Sequence, residues 1–499
     1  MATAVEAEKG PSSEAQFIRG IGPLAAVSMV VGAMIGSGIF IVSADIARQT
    51  SAWGPGGLML VWALTGLMTV TGALMYAELA AMMPRAGGQY VFLREGLSPW
   101  VGFLYGWTLF TVIQTGTIAA VAVAFARFLG VLVPSVTADV FLSLGHVAMP
   151  GGEIELGLSN QRLVALAMVL VLTVVNMRGV RLGAGIQTVF TIAKVGALIA
   201  LILLGLTVFR QPAIAAANFE SFWGTGSWGL AMLPAVGAAM VGSLFSSDAW
   251  NNVTFTAAEV RDPARNLPRA LALGTILVSS LYILANLAYL SVLPYGGSPE
   301  GTTVLERGLM YAAEDRVGTA ALAVMLGSAG AAVMAVLILI STFGCNNGLI
   351  LAGPRVFYAM ARDGLFFRRA AHLHSEWRTP TFGLGAQAVW AMVLCLSGTY
   401  GQLLDYVIIA AVLFYFLTVL ALFRLRATRP DLPRPVRALG YPVVPALYAA
   451  GLLGIMVVLL VEKPEYTQAG MLIVALGIPV YALWRRFGAP AAGDSGPTA

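Results

Sequence analysis

Gly32-Ala33-Met34-Ile35-Gly36-Ser37-Gly38 interrupts the first long apolar run of this chain, and Phe245-Ser246-Ser247-Asp248-Ala249-Trp250-Asn251 interrupts the sixth. Both stretches fall where hydrocarbon should surround an unbroken helix. The chain has 499 residues, 58% hydrophobic and only 11% charged, with a mean hydropathy of +0.83. Soluble domains carry about 25% charged residues. A helical span takes about 20 apolar residues, and twelve runs approach or exceed that length: 21–44, 57–83, 98–131, 161–178, 185–208, 229–257, 268–293, 319–360, 381–399, 402–425, 440–461 and 467–485. The expected fold class is an all-α, multi-pass membrane protein with 12 transmembrane helices, the eighth run being long enough to extend beyond the bilayer.

Charge sets the expected orientation. With the N-terminus cytoplasmic and the runs alternating, 21 of the 29 Lys/Arg fall on the cytoplasmic side, 7 outside and 1 in the membrane. That asymmetry is the positive-inside pattern. Residues 1–18 and 488–499 are then cytoplasmic tails, and the expected location is a cell (inner) membrane. Arginines cluster at Arg261/Arg265/Arg269, at Arg362/Arg368/Arg369/Arg378 and at Arg424/Arg426/Arg429/Arg434/Arg437. Attraction to the lipid bilayer's anionic headgroups accounts for them, so no nucleic-acid partner is expected. The chain has no G-x-x-x-x-G-K-[ST] phosphate loop and no H-E-x-x-H, and its three histidines, His146, His372 and His374, have no cysteine nearby. Neither an enzyme, a cofactor nor a metal site is expected.

The two interruptions lie five spans apart. Five is odd, so a five-helix repeat must be inverted relative to its twin, and paired broken helices point to a transporter's binding site. The repeats are read as 19–210 and 211–428, with helices 11 and 12 (429–487) outside them in a packing role. Position and topology carry this reading, since the halves share no convincing residue-level identity.

The first break exposes backbone groups at mid-membrane, where only protein or a wet cavity can satisfy them. The half-helix beginning near Gly38 turns its positive end into the cavity and suits an anion. The one ending near Met34 and Ile35 has free carbonyls that suit an ammonium. Gly36, Ser37, Gly38 and Ile35 thus offer partners for both ends of an α-amino acid. Gly32 and Gly36 also form a G-x-x-x-G pair, which by itself reads as helix packing. At the second break Phe245 is placed to cover a substrate, and Ser246 and Ser247 to line its site. Asp248 either caps the second half-helix, faces substrate or binds a proton. Gln114, with Thr115 and Thr117 beside it, either contacts substrate or bridges helices.

Only three lysines stand against 26 arginines, and Lys194 is the one inside an apolar run. Counted from Arg181 it lies roughly 20 Å deep at about 1.5 Å per residue. A charge near the bilayer centre costs at least ~2.5 kcal/mol. Lys194 is therefore a fixed cation bridging helices 5, 1 and 8 where sodium would otherwise sit, a proton carrier, or a snorkelling residue without a role. Gly32, Ser341 and Thr342 are its candidate partners, with Asn346 and Asn347 farther along the eighth run. Glu78 and Glu259 sit near helix ends rich in arginine and are expected to pair there.

With these residues in hand, the chain resembles the amino acid–polyamine–organocation transporters, and within them the prokaryotic relatives of the L-type amino acid exchangers. The resemblance spans about 19–487. It rests on G-S-G-I-F at 36–40, Y-A-E-L-A at 76–80, P-R-A-G-G-Q-Y at 84–90, the second break, E-V-R-D-P-A-R-N-L-P-R-A at 259–270 and P-R-V-F-Y-A-M-A-R-D-G at 354–364. It implies a leucine-transporter-like 5+5 inverted repeat with helices 1 and 6 broken. It also implies an L-amino acid whose carboxylate meets Ser37 and Gly38 and whose ammonium meets carbonyls at Ile35 and Phe245–Ser246. Sodium-independent members carry a helix-5 lysine, and Lys194 matches it. Where bacterial relatives often read F-A-Y-D-G-W, this chain reads F-S-S-D-A-W, so substrate preference does not transfer. Animal relatives use a cysteine between helices 3 and 4 to hold a glycoprotein subunit; residues 131–160 contain none, and no disulfide-linked glycoprotein subunit is expected. The expected function is sodium-independent transport of L-amino acids, neutral ones preferred, by alternating access and as an exchanger. The alternatives are a proton-coupled symporter and a cationic amino acid or polyamine transporter.

Overall fold

A computed structural model describes residues 16–149, 152–397, 400–462 and 464–487. Most of the two expected tails, 1–15 and 488–499, lies outside these residues. The helices in chain order are α1 (Pro23–Met34), α2 (Ser43–Gln49), α3 (Gly54–Met82), α4 (Gln89–Gly96), α5 (Pro99–Thr108), α6 (Gln114–Leu132), α7 (Asn160–Met177), α8 (Val180–Leu206) and α9 (Pro212–Glu220). They continue as α10 (Leu233–Ser246), α11 (Asn252–Phe255), α12 (Pro263–Val292), α13 (Val304–Arg307), α14 (Val317–Leu326), α15 (Ala329–Ala352) and α16 (Pro354–Arg362). The last four are α17 (Thr381–Cys395), α18 (Tyr400–Thr428), α19 (Val443–Glu462) and α20 (Pro464–Phe487). Among the described residues nine helical stretches are long and apolar enough to cross a membrane, and the chain is a multi-pass membrane protein.

Two features depart from unbroken all-α spans. Residues Leu142–Met149 (β1) and Gly152–Leu158 (β2) pair as an antiparallel hairpin, Leu142 opposite Leu158 and His146 opposite Glu155. The eighth run does not continue past the bilayer as one helix. Gly327, at φ 61°, separates α14 from α15, and Pro354 opens α16. A left-handed residue after a helix costs glycine little. The third run stays helical but passes through a π turn at Leu109–Ile113 just before Gln114. The extra backbone residue re-aims the side chains that follow.

α8 shows how the bundle is organised. Gln187, Thr191, Lys194 and Leu198 are buried, while Val189, Ile192 and Leu203 are 65%, 60% and 57% exposed. Spacings of three and four put the first set on one stripe. The polar stripe turns inward and the apolar one faces lipid. This helix lies against α1, α12 and α15, so α1 has polar neighbours along its length.

The end of the bundle where α1 begins is closed by backbone and charge. Ile21 pairs with Val260, its N–H donating to the Glu259 carbonyl at 3.0 Å and its own carbonyl accepting from Arg261 N–H at 2.9 Å. The Glu259 carboxylate takes two bonds from the Arg355 guanidinium, at 2.7 and 2.9 Å, and both side chains are fully buried. Glu78 accepts from Arg426 at 2.9 and 2.5 Å and from Ala438 N–H at 2.6 Å. Removing one partner of a buried pair costs about 3–5 kcal/mol, whereas replacing both by apolar groups is often neutral. Glu259→Ala should therefore destabilise the detergent-solubilised protein by about 3–5 kcal/mol, read as a lower thermal unfolding midpoint, and Glu259→Leu/Arg355→Met should recover most of the loss.

Candidate functional site

α1 stops at Met34 because Ile35 leaves helical geometry, with ψ 93°. A single 3-10 turn, Gly38–Phe40, follows, and α2 resumes at Ser43. The carbonyls freed at this break are taken up. Lys194 Nζ donates to Gly32 O at 2.8 Å, to Ile35 O at 2.8 Å and to Ser341 O at 2.9 Å. The Ser341 hydroxyl lies 3.0 Å from both Ile35 O and Gly36 O. Cys345 Sγ reaches Ala33 O at 3.1 Å, and Thr191 Oγ1 reaches Ser28 O at 3.1 Å. An ammonium has three donors and no acceptor, so three carbonyls saturate it.

Of the residues expected around Lys194, Gly32 and Ser341 meet it. Thr342 bonds Ile338 O of its own helix at 2.7 Å. Asn346 turns to Ile118 O at 3.2 Å, and Asn347 to Gly183 O and Gln187 Oε1, both at 3.0 Å. Gly32 has no room for a side chain, since a Cβ there would lie 2.0 Å from Gln187 Nε2.

At the second break α10 ends at Ser246 and α11 begins at Asn252. Ala249 lies at φ 65°, a left-handed position that glycine fills at less cost. The cap of α11 is Asn251, which makes no side-chain capping bond. Asp248 instead accepts from the Tyr415 hydroxyl. Trp250 stacks on Tyr415, with centroids 5.3 Å apart at 22°. Asn251 donates to Gln89 Oε1 at 2.7 Å. Gln114 donates to Leu349 O at 2.7 Å, so it does bridge helices. It also lines, with Gln89, Tyr105, Thr117, Asp248 and Asn252, a small cavity of about 20 Å³. A second cavity, also of about 20 Å³, lies against Ser247, Asp248, Trp250 and Tyr448. Tyr448 belongs to α19, so that helix reaches the second break as well as packing on the bundle.

The two breaks touch. A Cβ on Gly38 would lie 2.1 Å from Ser246 Oγ, whereas one on Gly36 would find only Cys345 Sγ at 3.6 Å. The Tyr282 hydroxyl lies 3.0 Å from both Met34 O and Ser246 O and joins the two helix ends. Tyr282 was not among the residues picked from the sequence. Its signal was available, because Tyr282, Asn286 and Tyr289 recur at helical spacing inside an apolar run. Asn286 Oδ1 accepts from Ser43 Oγ at 2.7 Å, and the Tyr289 hydroxyl lies 3.4 Å from Ile39 O. The N–H groups of Phe40, Ile41 and Val42 close onto the Ser37 and Gly38 carbonyls. Among the described residues those of Gly36 and Gly38 have no backbone acceptor. Ser37, Ser246 and Ser247 are buried beside them, and Phe245 is half-buried. The site thus brings the amide donors of Gly36 and Gly38 and the Ser37 hydroxyl at one break beside carbonyls and a carboxylate at the other.

The sequence profile of the family described as amino acid permease matches residues 21–483. The chain belongs to the amino acid permease family. The permease is thus a membrane transporter of amino acids rather than an enzyme. It is similar to the large neutral amino acids transporter small subunit 2 of Homo sapiens, at 31% identity over 474 residues, which cover 93% of this chain and 80% of that one. It is also similar to the b(0,+)-type amino acid transporter 1 of Homo sapiens, at 28% over 473 residues (93% and 87%), and to its counterpart in Mus musculus, at 30% over 427 residues (85% and 80%).

Two substitutions in the permease test the contact between the breaks. Gly38→Ala should abolish uptake in reconstituted vesicles, while Gly36→Ala, which meets only an ordinary contact, should retain most of it. Tyr282→Phe removes one hydroxyl from two buried carbonyls and should cost about 1–3 kcal/mol, read as a lower unfolding midpoint with transport slowed in parallel.

Proposed function

We propose that this permease carries L-amino acids across the cell membrane without sodium, by alternating access and as an exchanger, with neutral side chains preferred. The observation that carries this reading is the Lys194 ammonium held by Gly32 O, Ile35 O and Ser341 O where α1, α8 and α15 meet. Three carbonyl oxygens around a monovalent cation are the ligand set that sodium would use, and a covalently attached cation leaves no place for it. The substrate's carboxylate goes to the N–H groups of Gly36 and Gly38 and to the Ser37 hydroxyl. Its ammonium goes to carbonyls of the second break, at Phe245 and Ser246, because Ile35 O already serves Lys194 and Ser341. The side chain extends toward the cavity beside Asp248 and Gln114, with Ser247 at the position that is aromatic in many relatives.

Twelve spans follow if the two broken helices, α1 with α2 and α10 with α11, and the short α17 are added to the nine long stretches. The repeats are then 19–210 and 211–428, with 429–487 packed outside, and both termini are cytoplasmic by the arginine count. One relative is named a small subunit. In this chain Cys345 and Cys395 are both buried, which supports the reading that any partner is held without a disulfide. A second reading, a cationic substrate, is favoured by Asp248 lining both cavities. Its engagement by Tyr415 favours the neutral one.

Lys194→Ala should leave the protein folded in the membrane and cut amino acid exchange by more than tenfold, measured as counterflow in proteoliposomes; undiminished sodium-independent turnover would refute the lysine's role. Competition by the common amino acids against one labelled substrate, with and without a pH gradient, separates exchange from symport and neutral from cationic preference.

A further inference from the structure

Several arginines at the end of the bundle where α1 begins are paired with acids: Arg355 with Glu259, Arg426 with Glu78, Arg94 with Asp363, and Arg429 with Glu95. Another group is not. Arg261 Nε lies 3.3 Å from Arg19 O, and the Arg181 side chain runs so close to Gly20 that a Cβ there would lie 3.0 Å from Arg181 Cγ. Arg19, Arg181 and Arg261 therefore meet at one junction, drawn from three separate parts of the chain. Arg265 and Arg269 continue it along α12. All five are exposed, and none has an acidic partner among the described residues. Asp262, exposed beside Arg261, is the one acid adjoining them in sequence.

Local electrostatics disfavours this arrangement as it stands. α1, α8 and α12 all begin here, and none has an acidic residue in its first turn or a side-chain N-cap bond. Helix N-termini carry partial positive charge and favour anions. α12 has the acid Asp262 as its N-cap, but the starts of α1 and α8 receive arginines instead, and Arg265 and Arg269 form a like-charge pair four residues apart, itself unfavourable. An external anion would reverse the sign of each of these terms. The surface just beyond is apolar: Leu24 on α1, Leu182 on α8, and Leu273 and Ile276 on α12 are 64%, 47%, 59% and 49% exposed. On α12, Arg265, Arg269, Leu273 and Ile276 fall on one stripe. Charge at the helix start followed by exposed leucine is the profile of a headgroup above an acyl chain.

We propose that Arg19, Arg181, Arg261, Arg265 and Arg269 form a binding site for the headgroup of an anionic phospholipid, whose acyl chains lie along the exposed leucines of α1, α8 and α12. The lipid ties the start of α1 to α8 and to the 260–262 segment, reinforcing the Ile21–Val260 pairing. The assignment does not depend on which amino acid is carried. The side of the membrane on which the lipid lies does follow from the orientation proposed above, but binding is measured without it.

The test uses the full chain, purified in mild detergent and offered phosphatidylglycerol or phosphatidylcholine, with bound lipid counted by native mass spectrometry. Wild type should retain phosphatidylglycerol selectively. Basic residues near an anionic surface contribute about fivefold each, so Arg181→Gln/Arg265→Gln/Arg269→Gln should bind it about 100-fold more weakly. Arg368→Gln/Arg369→Gln/Arg437→Gln, which removes equal charge elsewhere, should bind it as wild type does. Equal losses in the two variants would mean diffuse attraction only and overturn the site, as would wild type that does not distinguish the two lipids. Should the triple variant fail to fold, Arg265→Gln alone should still show a loss of about fivefold, and wild-type affinity in it would overturn the proposal.

Discussion

Everything near the first break depends on one ammonium surrounded by three carbonyl oxygens. A helix that stops at mid-membrane leaves carbonyls that hydrocarbon cannot satisfy, each costing several kcal/mol. A lysine at the same depth carries a charge that hydrocarbon cannot solvate. Lys194 and the end of α1 each resolve the other's problem, at 2.8 and 2.8 Å to α1 and 2.9 Å to α15. The consequences run outward. α8 must come close enough for Nζ to reach, so Gly32 has no side chain, and Gln187 and Thr191 occupy the space a Cβ would fill. α15 must present Ser341, whose hydroxyl takes the remaining side of Ile35 O and Gly36 O.

The second break is held differently. Among the described residues, aromatic and amide side chains do the holding. Tyr415 donates to Asp248 and stacks on Trp250, Asn251 leans on Gln89, and Tyr282 spans to the first break. The two interruptions are therefore mechanically joined at Tyr282 and at the Gly38–Ser246 contact, while their outward ends are fastened elsewhere. Arg48 on α2 bonds Asp315 and Met310 O, both at 2.6 Å, and Glu314 beside Asp315 takes Arg127 of α6. Glu314 and Asp315 sit at φ 52° and 59° to make these contacts, a strained pair of backbone positions of the kind found at functional segments. The broken first helix thus has fastenings at both of its ends.

Much of this was legible in the sequence because helix interruptions leave local marks. Glycine, serine and a stray ionisable group inside an apolar run are visible without coordinates, so both breaks, Lys194 and the pairing of Glu78 and Glu259 with arginines could be read directly. The choice of partner was less legible. Thr342 and Ser341 are adjacent in the chain, yet one bonds its own helix and the other the first break, because a helix turns 100° per residue and the sequence does not state its rotation. For the same reason the sequence leaves Asp248 open as a cap, a substrate contact or a proton site, whereas in the fold the Tyr415 hydroxyl faces it. The paired strands Leu142–Met149 and Gly152–Leu158 and the division of the eighth run at Gly327 were missed, since hydropathy alone does not separate strands from loops or mark where a long apolar run bends.

The sequence by itself determined that this chain lives in a membrane, that it is interrupted at two places, and that a cation is buried in an apolar run, because these follow from transfer energies that each residue carries wherever it goes. Only the tertiary structure decided that the two interruptions touch, that Lys194 spends all three donors on backbone oxygens, and that Tyr282 and Tyr415 complete the site. Those outcomes depend on how far each helix is rotated and how deeply it is inserted, and packing settles that among many helices at once.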